Sequence, residues 1–117
     1  GLSMAGLSGE FPTALEKFTF DSLPISYVQG ERQARNVLRE SNLNYTILRL
    51  PWLYNNMENT NYELIAEGAP FNDAQVTREA VVKAVYDILH VEDETPFSRA
   101  SIGVGEPGTH YDKPSFL

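Results

Sequence analysis

No cysteine occurs among the 117 residues, which leaves neither a disulfide framework nor a thiolate zinc site. Histidine is nearly as scarce: His90 and His110 lie too far apart to form a local ligand pair, so no metal is expected. Basic residues are in deficit, nine Lys plus Arg against sixteen Asp plus Glu, and the formal net charge of −7 would repel a polyanion. Neither a nucleic-acid nor a membrane partner is expected. Apolar runs fall far short of the ~18 residues that cross a bilayer, and the first residues lack a basic start followed by an apolar stretch. A cytoplasmic location is the expectation.

What is present can build a core. Apolar residues make up 42% and aromatics 11% of the chain, and its length suits one domain. "GLSMAGLSGEFP" opens as loop or as the ragged end of a strand, broken at Pro12. "TALEKFTF" reads as a weak helix. From Ser26 to Ser41, Val28, Ala34, Val37 and Leu38 form one helical stripe, with Glu31, Arg32, Arg35, Arg39 and Glu40 on the wet side. Gly30 predicts a loose helix start or a close approach by backbone or ligand. "LNYTILRL", bounded by Asn42 and Pro51, reads as a buried strand. Arg49 ends it and needs an acidic or carbonyl partner.

Two extended pieces come after the polar cluster "NNMENT": "NYELIAE" and "FNDAQVT" are separated by "GAP" and expected to pair or nearly so. Thr77 caps the clearest helix, whose apolar face is Val81, Val82, Ala84, Val85, Ile88 and Leu89. His90 closes it, where an imidazolium suits the negative end of the helix dipole. "RASIGVG" is a last short strand, and the Pro/Gly-rich tail holds His110, read as a surface residue. Alternating helices and apolar strands imply an α/β fold with a parallel sheet covered by helices. Two or three core strands are few for such a sheet, and the architecture reads as incomplete.

The run "YVQGERQARNVLRESNLNYTILRLPW" resembles the atypical short-chain dehydrogenase/reductase family, in its NmrA-like, NAD(P)-binding branch. "VTREAVVKAVYDILH" and "IGVGEPGTHYDKPSFL" are similar to later parts of the same family, so the resemblance spans most of residues 1–117. It implies the C-terminal portion of a Rossmann-like sheet with its covering helices and without the glycine-rich N-terminal half. In that family a Gly-x-x-Gly-x-x-Gly turn cradles the pyrophosphate at a helix N-terminus. Gly1, Gly6 and Gly9 do not supply it, because no strand precedes them and Pro12 interrupts the segment after them. The expectation is a single domain over 1–117 that is part of a larger NAD(P)-binding domain, with roughly 90 residues missing.

The resemblance also implies site residues. Its catalytic Tyr-x-x-x-Lys pair falls on Tyr27 and Glu31, and a carboxylate in place of the ammonium raises the phenol's pKa and removes a ribose donor. Ser3 corresponds to a serine beside the nicotinamide, with Met4 where a second serine would stand. Pro51, Trp52, Leu53 and Tyr54 lie past the carboxyl end of a strand, where open parallel sheets bind cofactor. Residues 55–75 would build a pocket for an unidentified small molecule, with Met57, Tyr62 and Phe71 suiting a modest apolar ligand. The implied function is the nicotinamide and substrate side of an NAD(P)-dependent oxidoreductase-like protein. The alternatives are a non-catalytic NAD(P)-sensing regulator, or a module that self-associates through an exposed sheet edge. The full-length protein would hold the dinucleotide, and this chain alone is not expected to bind it tightly.

Overall fold

The computed structural model describes residues 1–117. Three strands run parallel, β1 (Leu2–Met4), β2 (Thr46–Leu50) and β6 (Ala100–Gly105), and β4 (Glu63–Ile65) joins β6 antiparallel, in the order β1-β2-β6-β4. A second, two-stranded parallel sheet pairs β3 (Trp52–Tyr54) with β5 (Gln75–Thr77). Three helices complete the chain: α1 (Thr13–Ser22), α2 (Ile25–Glu40) and α3 (Arg78–Leu89).

The apolar run expected as a strand forms β2, beginning at Thr46, with Ile47 to Leu50 all buried. Its side chains alternate across the sheet. Leu48 and Leu50 join Val104, Val76 and the α3 residues Ala80, Val81 and Ala84 in one cluster. Arg49 lies opposite Gly103 in register and faces Phe71, which packs with Ala5, Phe11, Leu15 and Ala74 in the other cluster. Gly103 is required there, since a Cβ would come within 2.6 Å of the Phe71 ring.

Thr77 caps α3 as expected, its hydroxyl accepting from the Ala80 N–H at 2.9 Å. The helix is rotated from its expected face: Ala80 enters the core, while Val82 and Leu89 are exposed. Small side chains at 80 and 84 let the helix lie close to the sheet, and that contact outweighs the larger residues flanking it. On α2 only Val28 of the expected stripe is buried; Val37 and Ala34 face out and Leu38 is half-buried. Gly30 lies in an unbroken helix with open space beside it, so the expectation of a loose start or a close approach is not met. Glu31 and Arg35, expected on the wet side, are half-buried.

The two extended pieces after the polar cluster do not pair with each other. β4 adds to β6, with Leu64 opposite Val104, and β5 pairs with β3, with Leu53 opposite Val76. This second pairing buries Val76 completely beneath α3, which a β4–β5 hairpin would not do.

Candidate functional site

Past the carboxyl ends of β1 and β2 lies a cavity of about 370 Å³ bordered by Ser3, Tyr27, Glu31, Pro51, Trp52 and Leu53. Five of the six positions expected from sequence are thus gathered in one place, together with Glu31. Pro24 is the N-cap of α2, and the helix sets Tyr27 and Glu31 one turn apart on one face. The Ser3 hydroxyl donates to the Glu31 carboxylate at 3.5 Å, a long contact. The Tyr27 phenol is held above its ordinary pKa, first by burial and then by the Glu31 charge. Trp52 is fixed from behind: its indole N–H donates to the Thr19 hydroxyl at 3.0 Å and its ring leans on Phe18.

Tyr54 does not join them. Its hydroxyl donates to Glu106 at the end of β6, accepts from the Asn59 amide at 3.3 Å, and its ring stacks on Phe116. The carboxylate past β6 and the tail together draw it away from the cavity.

A second cavity, of about 410 Å³, lies between α2, the loop after β1 and the segment joining β4 to β5. The excursion expected to give an apolar pocket contributes here instead, through Glu67, Gly68, Ala69, Pro70 and Asn72. Met57 is exposed, Tyr62 donates to Asp87 on α3 at 2.5 Å, and Phe71 is a core residue. Arg49 has both kinds of partner foreseen for it, pairing with the Glu10 carboxylate and donating to the Ile65 carbonyl at 2.8 Å. His90 ends α3 with Nδ1 2.8 Å from the Tyr86 carbonyl, and its ring stacks on that of Tyr86.

Asp73 is not legible in the sequence as unusual. It is completely buried, both carboxylate oxygens lack a hydrogen-bond partner, and His110 Nε2 stands 3.6 Å from Oδ1. Gly105 permits the approach, since a Cβ there would lie 2.4 Å from Asp73 Oδ2. His110 is exposed, as expected, yet its contact with a buried carboxylate has no signal in the sequence. Burial, followed by Glu63 and then Glu106, pushes the Asp73 pKa up to about 7. The folded chain therefore keeps a proton that the unfolded chain releases near its ordinary pKa of 3.8, so this group's contribution to stability falls between about pH 4 and pH 7 and then levels. Asp73→Asn is expected to flatten that fall and to be more stable than the parent at pH 8, by roughly 2 kcal/mol. Urea denaturation of both proteins at pH 5 and pH 8 checks it, and an unchanged difference between the two pH values would refute it.

Gly6 offers no pyrophosphate cradle. Gly6 has φ +93° because its own Phe11 ring occupies the place of a Cβ, 2.7 Å away, so its freedom serves packing. The residues present fit the nicotinamide end of a dinucleotide, where a phenol and a serine hydroxyl meet an apolar wall.

Residues 2–92 match the NAD(P)H-binding family. The chain superposes on a short-chain dehydrogenase/reductase from Veillonella parvula DSM 2008, solved in ethylated form, with 83% identity and a TM-score of 0.99 over 100% of this chain. A wild-type structure from that organism, in complex with NADP, gives 84% identity and a TM-score of 0.98 over 99% of the chain. The chain spans 54% of the length of each of those two. A Rossmann-fold NAD(P)-binding family protein from Shigella flexneri is 35% identical over 74% of this chain, with a TM-score of 0.60 across 42% of its own length. No curated protein matches. On the matched residues and on the fold, the chain belongs to the NAD(P)H-binding family.

Proposed function

We propose that this chain carries the nicotinamide-facing and substrate-facing side of an NADP(H)-binding oxidoreductase-like protein, with Tyr27 as proton donor, Ser3 as its polar neighbour and Pro51 to Leu53 as the apolar wall. The observation that carries the reading is the convergence of those residues on one cavity at the carboxyl ends of β1 and β2. The NADP bound by the 84%-identical relative supports the choice of nucleotide. When bound, a reduced nicotinamide supplies hydride to a carbonyl carbon. The Tyr27 hydroxyl supplies the proton to the developing alkoxide, and the apolar wall keeps water from the reacting atoms. Burial, and then Glu31, hold the phenol protonated, which keeps the donor loaded but makes it a weaker acid.

A second reading, dinucleotide sensing without turnover, is favoured by Glu31 itself, since a carboxylate beside Tyr27 and Ser3 disfavours the phenolate that the reverse reaction needs. NADPH binding and NADPH consumption with a panel of aldehydes and quinones, both measured on the longer polypeptide that contains this chain, separate the two. For the oxidoreductase, Tyr27→Phe is expected to lower consumption by about a hundredfold, and Glu31→Lys to raise it by about tenfold at neutral pH. Binding with no consumption across the panel selects the sensor. No binding of NADPH refutes both.

A further inference from the structure

We propose that the second cavity is a separate binding site for a small oxyanion, a carboxylate or phosphate, received by Arg35 and Ser101. Its chemistry is unlike that of the Tyr27 cavity, for only four of its seventeen lining residues are hydrophobic. Three guanidinium groups line it. Arg49 is neutralised by Glu10, and Arg39 by Glu67 at 2.6 Å. Arg35 is in none of the molecule's ion pairs.

The hydrogen bonds of Arg35 are incomplete. One terminal N–H donates to the Ser8 hydroxyl at 3.1 Å, while Nε is buried with no partner. From β6, on another wall of the cavity, Ser101 is buried and its hydroxyl is also unpartnered. Two residues from separate elements that border one cavity thus each have a polar atom with a hydrogen bond still to make. The surroundings of Arg35 favour an anion: burial and the charges of Arg39 and Arg32 all press its pKa down, ahead of the opposing pull of Glu10 and Glu67. A guanidinium stays charged under that pressure, so relief comes from an incoming negative group. The planar fork suits two oxygens on one carbon or phosphorus. The pair of Glu67 with Arg39 at the rim of this cavity is partly solvent-exposed and so contributes little stability.

The site stands apart from the proposed cofactor function and is tested apart from it. Inorganic phosphate and succinate are titrated separately into the full chain, with backbone amide resonances as readout. Saturable shifts at Ser8, Arg35 and Ser101 are expected for at least one probe. The tighter of the two assigns the ligand as phosphate or carboxylate. Arg35→Gln should weaken binding by about tenfold or more. Arg78→Gln, which removes the same charge from α3 away from the cavity, should leave it unchanged. Saturation by neither probe, or equal losses in both variants, would overturn the proposal.

Discussion

Glu10→Ala is expected to destabilise the fold by about 3–5 kcal/mol, because it leaves Arg49 as an unpaired charge in the core. Both side chains of the pair are only 9% exposed. Glu10 does more than neutralise: one carboxylate oxygen faces Arg49, while the other accepts from the backbone N–H groups of Gly6 at 2.9 Å and Ser8 at 3.3 Å. The loop after β1 is therefore shaped around this carboxylate. Removing it strands a guanidinium on the central strand and two amides in the loop. Glu10→Gln keeps acceptors for the amides but not the charge, and should fall between the parent and Ala. The urea midpoint of the three proteins gives the order, and an alanine variant within 1 kcal/mol of the parent would contradict it.

Phe71→Ala is expected to cost a similar amount, about 3–5 kcal/mol, through the void left by a completely buried ring. The ring meets Phe11 edge-on at 5.5 Å and fills the space that Gly103 leaves open over the sheet. Its backbone N–H also donates to the Glu10 carbonyl at 2.7 Å, so the same residue ties the segment after β4 to the loop after β1. Phe71→Leu keeps much of the volume and should lose less than half as much. Thermal unfolding distinguishes the two, and equal losses would mean that ring shape rather than volume is what the core requires.

The parts of the fold written in local chemistry are readable from the sequence. Thr77 announces α3 by its capping hydroxyl, the unbroken run before Pro51 announces β2, and Ser41 does end α2. Strand pairing is not local. β4 and β5 are each three residues long, and such pieces carry too little pattern to choose a partner; burial of Val76 beneath α3 makes the choice. The cavity residues Ser3, Tyr27, Pro51, Trp52 and Leu53 are reachable because strand ends and helix spacing place them. Tyr54 departs from the expectation because a carboxylate fifty-two positions away claims its hydroxyl. Asp73 and Arg35 look like ordinary surface residues in sequence, and only glycines at 103 and 105 hint that something presses against β6.

β6 is the last strand in chain order, yet it lies between β2 and β4. During synthesis, then, β4 leaves the ribosome with no partner: its single neighbour in the sheet is made some forty residues later. Until Ala100–Gly105 emerge, β1 and β2 are the only two of these four strands that can pair, and β4 must wait as an open segment. Closure thus comes late and all at once, with one strand completing two interfaces, and a ribosome pause before residue 100 would prolong the interval in which β4 stays unpaired.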